Sequence, residues 1–150
     1  MLLKGSCHCG AVRFSVQSET PHPYMSCYCS ICRKTAGGGG YAINIMGRAE
    51  SLEVKGRSRS YRATRGGGER HFCPRCGSAL WVWDRRWAEW VYPFASAIDS
   101  KLPAPRERQH IMLDSKASWV PVPKGRAEKR FREYPRESIL DWHRKRGLLA

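Results

Sequence analysis

The chain has no run of about 18 apolar residues, which excludes a helical membrane span. Its opening, Met1-Leu2-Leu3-Lys4-Gly5-Ser6-Cys7, lacks the charged lead and apolar stretch of a signal peptide. A cytosolic protein with reduced thiols is therefore expected. The cysteine count is odd, seven, which argues against a closed disulfide framework. No Gly-Lys-Ser/Thr ending follows the glycine run at 37–40, so it is not a phosphate-binding P-loop. No internal repeat or domain boundary is visible, and residues 1–150 read as one domain, long enough to bury a core without staples. Acidic residues are also scarce, with 13 Asp and Glu against 27 Lys and Arg and a formal net charge of +14. That surplus favours acidic partners, whether nucleic acid, anionic small molecules or phosphates, and says nothing of fold.

What the chain does have is cysteine in groups. Cys27-Tyr28-Cys29-Ser30-Ile31-Cys32 puts three thiols within six residues. Cys7 and Cys9 form a Cys-x-Cys pair upstream, and Cys73 and Cys76 a Cys-x-x-Cys pair downstream. Packing does not explain seven thiols so arranged. Thiolates are soft ligands, zinc takes about four of them in a tetrahedron, and close pairs grip an ion from a tight turn. Seven thiolates on two Zn²⁺ would lower the net charge by three, to about +11, which is still strongly basic.

Around these groups the chain reads as short strands. The hydrophobic fraction of 41% and the six tryptophans indicate a folded globular protein. Alternation predicts strands over 11–16, 41–46, 51–55, 60–63, 79–84, 90–97 and 110–114. Gly5 and Gly10 bracket the first pair as a tight turn would need, and Gly77 permits the positive φ after the Cys73-Pro74-Arg75-Cys76 knuckle. Thr20-Pro21-His22-Pro23 is a loop and Pro93 marks an edge or bulge. The glycines at 37–40 are either a flexible connector or a place where a ligand comes close to bare backbone. The basic run from Lys55 to Arg70 reads as a solvated hairpin ahead of a binding patch. The tryptophans read as core and sheet surface ahead of ligand stacking. His110 reads as a satisfied core histidine, with a fourth metal ligand or a proton carrier as the alternatives. Residues 119–123 are extended, and 135–147 form a short helix opened by Pro135 and stopped by Gly147.

Seven ligands divide naturally into four and three. Cys7, Cys9, Cys73 and Cys76 would close a structural four-thiolate site, leaving Cys27, Cys29 and Cys32 with an open fourth position, where zinc chemistry happens. Spacing also permits the partition in which the two Cys-x-Cys groups share one ion. The run Gly5-Ser6-Cys7-His8-Cys9-Gly10-Ala11-Val12-Arg13-Phe14, the central cysteines with Arg33-Lys34, Phe72-Cys73-Pro74-Arg75-Cys76-Gly77-Ser78, and His110-Ile111 through Trp119 occur together and in order. Over roughly residues 3–123 the chain closely resembles the glutathione-dependent formaldehyde-activating enzyme family, which includes centromere protein V. The resemblance implies a mainly β, tent-like zinc fold, here with a short C-terminal helix. It implies two zinc ions, structural at the outer pairs and catalytic at Cys27, Cys29 and Cys32. The implied activity joins formaldehyde to glutathione as a carbon–sulfur lyase. The chain departs from the family pattern at Tyr28, where histidine is common, at the four glycines and in its basic tail.

From this we expect an enzyme acting on a small thiol or its carbonyl adduct. Arg33 and Lys34 are the candidate contacts for a glutathione carboxylate. The rival readings are a non-catalytic nucleic-acid or chromatin-associated zinc module and a metal-free redox centre at the three central cysteines. No membrane partner is expected.

Overall fold

A computed structural model describes residues 1–19 and 24–148; the loop expected at Thr20–Pro23 lies outside them. Among the described residues twelve short strands form three sheets. The first is β1 (Leu2–Ser6), β2 (Arg13–Gln17) and β6 (Glu53–Lys55), all antiparallel. The second runs β5 (Gly47–Arg48), β10 (Trp90–Pro93), β9 (Ala79–Trp83), β8 (Glu69–Phe72), β7 (Arg59–Arg62), also antiparallel. The third, β12 (Glu128–Arg130), β11 (Arg108–Ile111), β3 (Tyr24–Cys27) and β4 (Ala42–Asn44), is mixed, with β11 parallel to both its neighbours. Two seven-residue helices, α1 (Ser30–Ala36) and α2 (Ile139–Lys145), complete a mainly β fold with a short C-terminal helix.

Position in a sheet explains the burial. β1 buries alternate residues, Leu3 and Gly5, and exposes Leu2 and Lys4, as a strand with one covered face must. β9 is interior to its sheet and buries Leu80, Trp81 and Val82 in succession, so both of its faces are covered. β11 likewise buries Gln109, His110 and Ile111. The strand expected over 110–114 therefore lies earlier. It ends where Met112 turns to φ 60° and a 3₁₀ turn, Leu113–Ser115, begins. The strand expected over 90–97 also stops early, at Pro93, before the 3₁₀ turn Ala95–Ala97. α2 starts later than expected, because Ser138 caps it by accepting from the Asp141 amide at 3.0 Å. Gly147, φ 61°, lies just beyond its end.

Gly5 does not serve the cysteine turn. It is a strand residue whose added Cβ would fall 2.3 Å from the Ala97 carbonyl oxygen and 2.3 Å from Phe14, so the first sheet closes tightly on the 95–97 turn. Two apolar clusters form the core. One joins Leu3, Val12, Phe14, Val16, Leu80, Trp81 and Val91 to Cys7 and Cys73. The other joins Met25, Ala42, Val82, Phe94 and Ile111 to Cys27 and Cys32. Each cysteine group is thus anchored in its own patch of core.

Candidate metal centre

The first cysteine group is built from two turns. After β1, the Cys7 amide donates to the Val12 carbonyl at 2.9 Å and the Gly10 amide to the Cys7 carbonyl at 3.0 Å, with Gly10 at φ 73°. After β8, the Gly77 amide donates to the Cys73 carbonyl at 2.9 Å, with Gly77 at φ 75°. Both turns need the left-handed backbone that glycine adopts without strain. The Val12 amide points at Cys7 Sγ, 3.2 Å away, a donor suited to a thiolate. All four sulphurs, of Cys7, Cys9, Cys73 and Cys76, lie within 4.8 Å of one another.

The second group is carried by the junction of β3 and α1. Cys27 ends β3. Cys29 is the N-cap of α1 and accepts from the Cys32 amide at 3.3 Å, while Cys32 sits in the first turn and is buried. These three sulphurs also lie within 4.8 Å of one another. Hydrogen bonds from Cys27 and Cys32 pull the Cys29 thiol well below its ordinary range. The same contacts with Cys29 and Cys32, together with burial, push Cys27 up. The trio therefore gives up its first proton readily and the later ones reluctantly, as closely packed thiols do without a cation among them.

The donor sets fit a thiophilic ion such as zinc. A tetrahedral ion about 2.3 Å from each sulphur spaces the sulphurs about 3.8 Å apart. Cys7 and Cys9 stand 3.6 Å apart and Cys9 and Cys73 3.8 Å. The Cys7/Cys9 pair lies with Cys73/Cys76, so the grouping is four and three, and the two Cys-x-Cys segments do not come together.

Between Cys27 and Cys29, Tyr28 points inward and is fully buried. Its amide donates to the Ile111 carbonyl at 3.0 Å, and its hydroxyl lies 2.9 Å from His110 Nδ1. His110 Nε2 lies 2.6 Å from Glu128 Oε2, and Arg108 Nη1 donates to Glu128 Oε1 at 2.8 Å. The bond from His110, against the cost of burial and with help from Arg108, holds the Glu128 carboxyl below its ordinary pKa. With Glu128 Oε2 accepting from Nε2–H, Nδ1 is the ring nitrogen left to accept from the Tyr28 hydroxyl. Burial first, then the nearby Tyr41 and Glu128, raises Tyr28 to about 12 and keeps that hydroxyl protonated. Both His110 nitrogens are engaged. It is a satisfied core histidine and has no nitrogen left for a metal.

Arg33 and Lys34 lie on α1. Lys34 is exposed, and Arg33 is half-buried with its Nε lacking a hydrogen-bond partner. A further cation, which sequence reading passed over, meets the cysteines from β8. Arg70 of β8 places Nη2 3.7 Å from Cys32 Sγ. Arg70 also lines a cleft of about 280 Å³ with Thr35, Tyr61, His71, Phe72, Gly77, Ala79 and Phe94. Only the β7–β8–β9 register brings Arg70 there, and its signal in the chain was no more than one arginine in a basic run.

Fold and site define a mainly β protein with two thiol clusters fit for metal, one of four cysteines and one of three, the latter touched by Arg70, which also lines a cleft. The family model for glutathione-dependent formaldehyde-activating enzymes matches residues 2–114. A Halomonas elongata protein, named provisionally as a glutathione-dependent formaldehyde-activating enzyme, is 58% identical over 99% of this chain and 98% of its own length. A crystal structure of a Rhodobacter sphaeroides protein is 28% identical, with TM-score 0.56, over 67% of this chain and 91% of that one. The chain belongs to the glutathione-dependent formaldehyde-activating enzyme family. Of the residues that carried the resemblance in the sequence, the seven cysteines are gathered by the fold into the two groups. No helix of the described residues is long and apolar enough to cross a membrane.

Proposed function

We propose that the chain is a zinc-dependent enzyme joining a small thiol to a carbonyl carbon, with glutathione and formaldehyde as the pair. In that reaction the thiol sulphur bonds to the carbonyl carbon and its proton ends on the carbonyl oxygen, giving S-hydroxymethylglutathione. The reverse step breaks the same carbon–sulfur bond, as a lyase does. The observation that carries this reading is the convergence of three thiols rather than four, with Arg70 reaching from Cys32 to a nearby cleft. Cys27, Cys29 and Cys32 would hold the zinc, which would acidify a thiol or polarise a carbonyl.

The chain's own groups do the remaining work. Tyr28 ties the loop between two of the ligands to β11, which fixes the direction of both sulphurs. Arg33 and Lys34 add positive charge on the helix that carries Cys32. Cys7, Cys9, Cys73 and Cys76 tie β1 to the turn before β9 and serve structure, since a fourth thiolate leaves no position for substrate. Seven reduced thiols suit a cytosol-like compartment.

The test is formaldehyde–glutathione exchange followed by NMR, with zinc-loaded protein against Cys29→Ala. Faster exchange that disappears in the variant supports the reading. Equal rates with and without protein, glutathione still binding, would leave a thiol site with another carbonyl partner.

A further inference from the structure

We infer that Arg70 forms an anion subsite beside the three central cysteines, selecting thiols that carry a carboxylate. The inference rests on the thiol reading above and adds to it which part of the substrate the cleft takes. Arg70 sits in mid-β8, opposite Tyr61 of β7 and Val82 of β9. Its neighbours Glu69 and His71 engage each other at 3.3 Å, and Glu69 also pairs with Arg62. The acid nearest in sequence is therefore spent, and among the described ion pairs no carboxylate meets Arg70. Of the five guanidinium N–H groups, one reaches the Cys32 sulphur, 3.7 Å away. The side chain is half-buried in a cleft whose other walls are largely carbon, from Phe72, Phe94, Ala79, Gly77 and the Tyr61 ring.

A cation so placed has two possible jobs. It is a counter-charge for the thiolates, or it is the group that an incoming anion meets. The cleft decides for the second. It leaves Arg70 next to space large enough for a small thiol, whereas a pure counter-ion needs no opening; Thr35 lines the same space but already donates its hydroxyl to the Ile31 carbonyl at 2.7 Å, so Arg70 is the wall's donor for an anion. In a site partly shielded from water, a guanidinium–carboxylate pair is bidentate and strong. Arg33 and Lys34 do not line this cleft. The occupant is a thiol whose sulphur lies by Cys32 and whose carboxylate lies against Arg70.

The test compares Arg70→Gln and Arg70→Lys with the natural chain, all zinc-loaded and checked for metal content by native mass spectrometry. Binding of 3-mercaptopropionate and of its methyl ester is measured by calorimetry, alongside the NMR exchange assay. The natural chain should prefer the acid about tenfold or more, the value of a charge-assisted pair. Arg70→Gln should abolish that preference through loss of acid binding, leaving the ester within about twofold, and Arg70→Lys should keep part of it. A preference unchanged in Arg70→Gln overturns the subsite, and so does an equal loss for acid and ester or a loss of zinc alone. If exchange with formaldehyde is absent yet acid binding depends on Arg70, the subsite stands and the proposed reaction falls.

Discussion

Tyr28 shows how much one buried hydroxyl can carry. It lies between two cysteines and is fully enclosed, and its hydroxyl has one partner in view, His110 Nδ1 at 2.9 Å. Tyr28→Phe keeps the ring and its tilted contact with Tyr41 but strands the histidine nitrogen in the core. An orphaned buried acceptor costs about 1–3 kcal/mol. Urea unfolding of the zinc-loaded variant should show a loss of that size. A variant as stable as the natural chain would mean that water or a turned histidine takes the place of the hydroxyl. The contrast with Arg70 is instructive. Tyr28 is fully buried and can affect chemistry only through the positions of the cysteines beside it, whereas Arg70 is half-buried and lines a cleft.

At the scale of elements, the unexpected piece is β12. The family match stops at residue 114, yet the chain beyond it returns to lie along β11. Glu128 seals His110 from this strand, and the Phe131 amide donates to the His110 carbonyl at 2.8 Å. The Met112 amide donates to the Glu133 carbonyl at 2.9 Å, so the return continues past the strand itself. The tail thus backs the cysteine-bearing β3–α1 junction through β11. Glu128→Ala should weaken metal held at Cys27, Cys29 and Cys32 by a few-fold, less than the roughly tenfold that losing a partner bonded directly to a ligand costs, since Glu128 acts only through His110 and Tyr28. Metal held by Cys7, Cys9, Cys73 and Cys76 should be untouched. Competition with a chromophoric chelator separates the two ions, and equal weakening of both would point to general destabilisation instead.

The knuckles were legible because a Cys-x-x-Cys-Gly turn is local: its ligands, its glycine and its bend lie within five residues. Strands such as 79–83 were legible because hydrophobic residues and flanking turns mark them. β12 was not, since Glu-Lys-Arg has no apolar face and pairs only because β11 has an open edge. α1 was hidden for a related reason. It is seven residues long and buries only Cys32, so it leaves no helical stripe to read. Arg70 needed a register across three strands, which no single stretch of sequence carries.

For the whole molecule, the decisive property is where the surplus charge lies. Much of the acid is tied up in pairs such as Arg48–Glu19, Arg86–Asp84, Arg132–Asp114 and Lys145–Glu137, leaving basic residues to shape the outer field. Arg57, Arg59, Arg62 and Arg65 are exposed on and around the β7–β8 hairpin, the element that also supplies Tyr61 and Arg70 to the cleft. A positive rim beside an opening raises the local concentration of an anionic ligand and speeds its arrival. Salt acts on that long-range part first, since the screening length falls from about 30 Å at 0.01 M to about 3 Å at 1 M. Over that range kcat/KM for glutathione should fall several-fold with little change in kcat, while a neutral thiol such as 2-mercaptoethanol should show almost no salt dependence. The half-buried Arg70 contact is screened less, so the preference for acid over ester should survive at high salt even after the steering is gone. The nucleic-acid alternative makes an opposite demand on the same rim. Binding to duplex DNA would have to weaken steeply with salt, by a power set by the number of phosphates met, and bound DNA would have to block the cleft. A salt-steepened duplex affinity with no salt effect on thiol turnover would assign the charge to nucleic acid. The reverse pattern assigns it to the recruitment of a small anionic thiol.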